Sequence, residues 1–166
     1  MKNLKKTILF TLLVFAINTS FAQAKLGHIS TDLLLTIMPE TIALNNELEE
    51  LSKAFEADLK LENDKLEAKL RKYDSEAATQ TNETNKERSL EVQQDQQKLY
   101  QSSKIAQEEI TKKRDEKLKP ILEKAKKAIV EVANANGYTY IIEAATLVVA
   151  NGTDIMPLVK TKLGIK

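Results

Sequence analysis

The sequence of 166 residues contains no cysteine and no tryptophan, and it has one histidine, three prolines and four glycines. The absence of cysteine excludes disulfides, and it also excludes a lipid-modified N-terminal cysteine. The aromatic content of 5% argues against a large compact core of the ordinary kind. All four glycines lie outside positions 40–136, so the backbone of this long segment has almost nothing to interrupt a helix.

The N-terminus has the pattern of a secretory signal peptide. Three lysines in the first six residues precede an apolar segment at 7–17, which is too short for a permanent membrane span. Small residues then fit cleavage before Gln23 or before Lys25. We therefore expect residues 1–24 to be removed, leaving an exported, soluble, periplasmic chain that forms a single domain at 25–166. An uncleaved membrane helix is the less favoured alternative.

The charge of the expected mature chain is nearly balanced. Without the three signal-peptide lysines, 22 basic residues (25 minus 3) face 24 acidic ones, a net charge near −2. A nucleic-acid-binding protein usually carries a strong basic excess. We therefore predict no nucleic-acid partner, and membrane contact that is at most peripheral.

Two apolar stripes with alternating spacings of four and three residues predict two long helices. The first stripe is Leu44, Leu48, Leu51, Phe55, Leu59, Leu66, Leu70, Tyr73 and Ala77. The second is Val92, Gln96, Leu99, Ser103, Ala106, Ile110, Arg114, Leu118, Ile121, Ala125, Ala128 and Val132. Threonine and asparagine residues between them favour a turn. We therefore predict an antiparallel helical hairpin, here called the arm, at 40–119, with its tip near 79–85.

The distribution of charged and polar residues predicts how the two helices pair and how firmly they are held. Residues 40–79 carry 11 acidic and 6 basic side chains, whereas residues 86–131 carry 9 acidic and 12 basic ones. Opposite net charges favour pairing of the two helices with one another. The outer part of the second stripe includes Gln96 and Ser103, so we expect that half of the arm to be soft. Pro120 predicts a kink where the arm joins the remainder of the chain.

The segments at 25–39 and 120–166 are predicted to form a small β body. Strands are expected at Leu26–Ile29, Tyr138–Glu143 and Thr146–Ala150. Three short strands that are apolar on both faces cannot cover themselves, so we expect the body to self-associate. The candidate oligomer contacts are Leu26, Ile29, Ile141, Ile142, Leu147, Val148 and Val149.

No pattern typical of a catalytic or metal site occurs in the sequence. His28 lies on a predicted buried strand, where a structural role is favoured over that of a catalytic base. There is no Cys–His pair, no phosphate-binding glycine loop and no cluster of metal ligands. The basic residues at 112–127 alternate with acidic ones, so they predict a solvated helix face, with a patch for an anionic partner as the alternative. We expect no enzymatic activity and no cofactor.

Five short segments, in this order, carry a resemblance to a known family. They are Lys25–Ile29, Leu33–Glu40, Pro120–Ala133, Gly137–Tyr138 and Asp154–Gly164. Behind a signal peptide and around a hairpin of this length, the chain resembles the Skp/OmpH-like periplasmic chaperones over essentially its whole mature length. The resemblance implies a homotrimer whose strands form a central barrel and whose arms hang as tentacles around a cavity. It also implies an ATP-independent holdase for unfolded outer-membrane proteins, although the best-known members are markedly basic and this chain is not.

Apolar residues off the pairing stripe, or on it where pairing is loose, are the candidate client contacts. They are Leu61, Leu66, Leu70, Tyr73, Leu90, Tyr100 and Ile105. A holdase needs many weak contacts of this kind rather than a catalytic group. The alternative function is a structural exported coiled-coil adaptor of an envelope complex, without chaperone activity.

Overall fold

The structure is a computed structural model that describes residues 24–165. The predicted signal peptide, apart from Ala24, lies outside the described residues. The elements are β1 (Leu26–Ile29), α1 (Thr31–Ile37), α2 (Pro39–Glu76), α3 (Asn82–Ala135), β2 (Tyr140–Glu143), β3 (Thr153–Asp154) and α4 (Met156–Leu163), with short 3-10 turns at Ala77–Thr79 and Ala144–Thr146. The predicted fold class, mostly α with a small β part, is confirmed at this level.

The three strands form one parallel sheet in the order β2–β1–β3. β1 pairs with β2 from Leu26 opposite Tyr140 to Ile29 opposite Glu143, and with β3 over two residues. Parallel neighbours cannot be joined by a tight turn and need a long crossover connection. The crossover from β1 to β2 contains α1 and the whole α2–α3 hairpin. The arm is therefore an insertion between two hydrogen-bonded strands.

The hydrophobic core lies where the sheet meets the helices at the base of the arm. Its buried members are Ile29, Leu34, Met38, Leu44, Leu48, Ile121, Ala125, Ala128, Val132, Ile155 and Val159. Gly27 permits the closest approach in this core. A Cβ atom at this position would lie 3.0 Å from Ile141 Cδ1 and 3.1 Å from atoms of both Ile155 and Tyr138. Burial of these aliphatic side chains is the main favourable contribution to the stability of the body.

The helix ends follow from local side chains. The Ser30 hydroxyl accepts the backbone N–H of Leu33 at the start of α1, and the Thr81 hydroxyl accepts that of Thr84 at the start of α3. Gly137 and Gly164 have φ of 70°, which only glycine adopts without strain, and they end α3 and α4 as predicted. α3 runs through Pro120 as one helix.

The strand predicted at Thr146–Ala150 is wrong. Ala144–Thr146 forms a 3-10 turn, the chain from 147 to 150 has no regular secondary structure, and the third strand is Thr153–Asp154. The β-branched residues of 146–150 favour a strand, but a strand also needs a neighbour to pair with. Within the described chain, the free edge of β1 pairs with Thr153–Asp154 instead.

One further boundary differs from the prediction, and one helix was not predicted. The tip lies at 77–81 rather than 79–85, because the Thr81 cap allows α3 to begin at Asn82. The Asn85 side chain donates to the carbonyl of Ala77 at 2.9 Å and ties the first turn of α3 to the 3-10 turn. The short helix α1 was not anticipated, and it buries Leu34 completely.

Candidate functional site

The two helices of the arm keep a single antiparallel register from the body to the tip. Near the body, Glu40 on α2 forms an ion pair with Lys124 on α3. Near the tip, Glu76 pairs with Arg88 at 2.6 Å. This second pair lies 36 residues further along α2 (76 minus 40) and 36 residues back along α3 (124 minus 88). The facing side chains therefore form one continuous line, here called the seam.

Acidic residues of α2 meet basic residues of α3 in the half of the arm nearer the body. A carboxylate oxygen of Glu47 lies 2.7 Å from Lys113 Nζ, and its other oxygen lies 3.5 Å from Lys117 Nζ. The hydrogen bond from Lys113 lowers the pKa of Glu47, and the hydrogen bond from Lys124 lowers the pKa of Glu40. We call these five residues the base clip. In the base clip the acidic residues lie on α2 and the basic residues on α3, as the net charges of the two segments predicted.

At Lys69 the order of the charges reverses, before the Glu76–Arg88 pair restores it next to the tip. Lys69 on α2 forms ion pairs with Glu91, at 2.7 Å, and with Asp95, both on α3. The Tyr73 hydroxyl donates to Glu91 at 2.6 Å, and the Arg88 guanidinium lies over the Tyr73 ring at 4.5 Å from its centre. We call these five residues the tip clip. It joins the two helices through polar contacts where little apolar surface is buried.

Hydrogen bonding favours the charged forms in the tip clip. Hydrogen bonds from Lys69 lower the pKa of both Glu91 and Asp95, and those same bonds raise the pKa of Lys69. The hydrogen bond to Glu91 raises the pKa of the Tyr73 hydroxyl, which keeps it protonated as the donor. The ion pairs of the tip clip therefore keep both charges, and Tyr73 stays a neutral donor, over a wide range around neutral pH.

The middle of the arm, between the two clips, is loosely filled. Among the described residues of this stretch, Leu66 and Ala106 are buried, and neither belongs to the core of the body. Adjoining surface concavities of about 360, 580 and 210 Å³ open along it, and Glu62 lines all three. Little apolar surface is thus buried per helical turn to oppose the conformational entropy of opening.

The predicted client contacts fall into two groups. Those exposed on the surface of the arm are Leu61, Leu70, Leu90, Tyr100 and Ile105. Leu66 and Tyr73 instead lie in the seam, where Leu66 is only 8% exposed and Tyr73 belongs to the tip clip. The surface group can contact another chain without any rearrangement, whereas the seam pair can do so only where the helices separate. Contact with clients stays a prediction for both groups.

The predicted oligomer contacts are also divided. Ile29 is 2% exposed and belongs to the core of its own chain, so it is not available to a second copy. Ile141, Ile142 and Leu147 are half-buried. The remaining three are exposed together with Tyr140, which the sequence interpretation missed. We call the exposed group Leu26, Tyr140, Val148 and Val149 the body patch.

The sequence interpretation also missed the polar residues of the seam. Gln96, Ser103 and Arg114 were predicted to face α2, and they are exposed. Their chain neighbours Asp95, Ser102 and Lys113 are half-buried in their place. The signal that could have found them is charge complementarity, because Asp95 and Lys113 each have an oppositely charged partner on α2 in the common register.

Three further findings concern residues 24–165. Within residues 24–165, no three histidine, cysteine or acidic side chains are grouped so that they could hold a metal ion. The ring nitrogens of His28 are buried without a hydrogen-bond partner in this part of the chain. No helix among these residues is both long enough and apolar enough to cross a membrane.

The long helical hairpin inserted between two strands of a small sheet places this chain in a class of arm-bearing proteins. Comparison with known protein families then identifies its family. The model of the outer membrane protein (OmpH-like) family matches residues 25–163, and this chain belongs to that family. No curated protein matches the chain significantly.

A solved structure has a similar fold. It is the crystal structure of a protein from Caulobacter crescentus CB15 described as an outer membrane chaperone (OmpH-like). The two superpose with a TM-score of 0.77 at 16% sequence identity, over 86% of this chain and 85% of the other. At this identity the likeness establishes a shared fold.

Proposed function

We propose that this protein is an ATP-independent holdase that binds unfolded outer-membrane proteins in the periplasm and prevents their aggregation. Membership of the OmpH-like family supports a chaperone-type role. The observation that carries the proposal is the surface of the arm, which exposes Leu61, Leu90, Tyr100 and Ile105 along helices held together by few buried side chains.

The proposed mechanism needs no chemical step and no cofactor. Each exposed apolar side chain offers a client a contact that is weak by itself. Several such contacts on one arm, and several arms in one assembly, raise the overall affinity by multivalency. Each contact also breaks readily, so a client can leave one contact at a time without ATP. We accordingly propose that the protein is not an enzyme.

We propose that the assembly is a homotrimer in which the small sheets of three copies form a central barrel. The body patch supports this proposal, because Val148 is fully exposed in the single chain and lies close in sequence to Val149 and to the sheet. Several exposed large apolar side chains in one small body are typical of an interaction site. Three arms attached to such a barrel would enclose a space for one client.

The decisive experiment is suppression of aggregation of a denatured outer-membrane protein diluted from urea. We expect the intact protein to suppress light scattering at one trimer per client. A matched variant lacks Phe55–Gln107, with Ala54 joined to Glu108 through a short glycine–serine turn. These cut points nearly face each other in the register of the seam, so the base clip is retained. The variant should stay trimeric and lose suppression, because it lacks the middle and the tip of the arm.

Salt provides a second readout. The chain is nearly neutral, so few exposed charges are screened when salt is added, and suppression should weaken only modestly between low and high ionic strength. If the intact protein suppresses nothing, the holdase proposal is wrong and an adaptor in an envelope complex is the remaining function.

A further inference from the structure

Five glutamines lie within nine residues in the middle of α3. They are Gln93, Gln94, Gln96, Gln97 and Gln101. All five are exposed. In the described part of the chain, the side-chain hydrogen bonds of this region join Lys69, Tyr73, Glu91, Asp95 and Lys98, and the glutamine amides take no part in them. The proposed function assigns no role to this run of uncharged polar side chains.

Three of these glutamines share one side of the helix. Successive residues turn by about 100° around the helix axis, which brings Gln94, Gln97 and Gln101 together. With Ile105, they line the concavity of about 580 Å³, whose opposite wall is Glu62 on α2. We call these three residues the glutamine face. Gln93 and Gln96 are rotated further round the helix and do not line this concavity.

The amide group has a chemistry that matches a peptide main chain. It carries one carbonyl acceptor and two N–H donors, so it can pair with both the N–H and the C=O of any residue. Gln97 and Gln101 are four residues apart, about 6 Å along the helix. An extended chain presents its polar groups on one edge at every second residue, about 6.6 Å. The spacing of these two amides is therefore close to that of an extended chain.

We propose that the glutamine face binds the main chain of an extended segment of an unfolded client, while Ile105 contacts a client side chain. This inference rests on the proposed function and deepens it, because it assigns a site and a ligand chemistry to the middle of the arm. The walls of the concavity carry one acid, Glu62, and one base, Lys98, so no net charge selects an ionic ligand.

The energetics fit a site that must release what it binds. Each amide–peptide hydrogen bond replaces hydrogen bonds to water and gains little. Ordering a long glutamine side chain also costs rotamer entropy. Binding is therefore weak for each glutamine and independent of client sequence. Apolar contacts alone would favour the apolar stretches of a client, whereas the main chain is present in every stretch.

The experiment compares two matched double variants of the full chain. Gln94→Met with Gln97→Met removes two amides of the glutamine face, and Gln93→Met with Gln96→Met removes two amides of the same spacing outside it. Methionine is unbranched like glutamine and has a similar helix propensity, so both variants should fold. Circular dichroism checks the helix content of each.

The probe is a fluorescent peptide of about twelve residues with alternating aromatic and serine or threonine residues, which is the pattern of a membrane β-strand. A second peptide has the same side chains but N-methyl groups on alternate amides. Anisotropy should show that the wild-type protein and the Gln93/Gln96 variant bind the methylated peptide about 3- to 10-fold more weakly than the first. The Gln94/Gln97 variant should bind the first peptide more weakly by a similar factor and should discriminate little between the two.

Equal or tighter binding of the first peptide by the Gln94/Gln97 variant would overturn the inference, because methionine would then replace the amide without loss. The aggregation assay separates this failure from failure of the proposed function. If the wild-type protein protects a denatured outer-membrane protein but binds the two peptides equally well, the holdase proposal stands and the glutamine face is refuted.

Discussion

Glu143, the last residue of β2, accepts the backbone N–H of Thr31 at the start of α1, with 3.1 Å between the nitrogen and each carboxylate oxygen. The two residues are 112 positions apart, and the whole arm lies between them in sequence. This contact joins the strand that follows the arm to the helix that precedes it. It also places a negative charge at the N-terminus of a helix, where unpaired N–H groups favour it.

We predict that Glu143→Ala lowers the free energy of unfolding of the body by about 1 kcal/mol. The cause is loss of the acceptor for Thr31, and Glu143→Gln should cost less because one oxygen remains. Urea unfolding at fixed protein concentration measures the change, since the proposed assembly would make stability depend on concentration. An unchanged midpoint in Glu143→Ala would contradict the prediction.

The pH dependence of stability gives a separate test of this contact. Burial acts to raise the pKa of Glu143, but hydrogen bonds from Thr31, Ala145 and Ala144 outweigh it, so the pKa lies below its ordinary value of 4.5. A carboxyl with a lowered pKa stabilises the folded chain above its unfolded pKa, and this contribution is lost as the pH falls through the folded value. Wild-type stability should therefore decline below about pH 4.5, and Glu143→Gln should show a smaller decline.

We predict that Gly27→Ala destabilises the body by about 1–3 kcal/mol. The added methyl group would meet Ile141, Ile155 and Tyr138 at once, at 3.0–3.1 Å, so no single side chain can relieve the overlap by moving. Gly152→Ala is the matched control, because its Cβ would lie 3.7 Å from His28 and make an ordinary contact. Thermal unfolding of the two variants should separate them, and equal melting temperatures would count against the packing argument.

We predict that Lys69→Met loosens the tip of the arm while leaving the body unchanged. The change removes the ammonium that joins α2 to both Glu91 and Asp95. Lys98→Met is the control, since Lys98 reaches Asp95 from within α3 and does not join the two helices. Hydrogen exchange should become faster at 66–76 and 86–95 in the first variant alone. The same exchange rates in both variants would show that the tip clip does not hold the helices together.

We predict that Val148→Asp prevents assembly without unfolding the chain. The side chain is fully exposed in the single chain, so aspartate costs nothing there, but a charge buried between copies without a partner is costly. Leu90→Asp adds the same charge on the arm and should leave the assembly intact. Native mass spectrometry should show three chains for the wild type and for Leu90→Asp, and one for Val148→Asp. A wild-type protein that is monomeric at micromolar concentration would refute the trimer.

The apolar part of the arm could be predicted from the sequence because its periodicity is local. Leu44, Leu48 and Ala106 repeat at helical spacing and are buried as expected. The polar part could not be predicted in this way. Asp95 and Lys113 have no hydropathy that favours burial, and they face α2 because the register brings Lys69 and Glu47 opposite them. Where such charged pairs face α2, the stripe predicted from apolar spacing is displaced by one residue from the side chains that actually face it.

The body was harder to predict because its pairing is long-range. Val148 and Val149 have the β-branched side chains of a strand, yet Thr153–Asp154, with little hydrophobic character, pairs with β1. The choice depends on which segment can reach the free edge of β1 after β2 and the 3-10 turn, and no local pattern encodes that geometry.

The glutamine face was missed for a different reason. Exposed uncharged residues carry no periodic signal, and their grouping appears only once the concavity beside them is known.

The unbroken register of α2 and α3 constrains how a gene for this protein can change. A short insertion or deletion in one helix alone, just beyond Glu40 or Lys124, would shift the charged pairs between that point and the tip out of register, including Glu76 and Arg88. Loss of seven residues from each helix at facing positions would instead leave both clips intact and shorten the arm by about 10.5 Å. Changes in arm length should therefore occur as equal insertions or deletions in both helices. The length of the arm can then evolve without any change in the body.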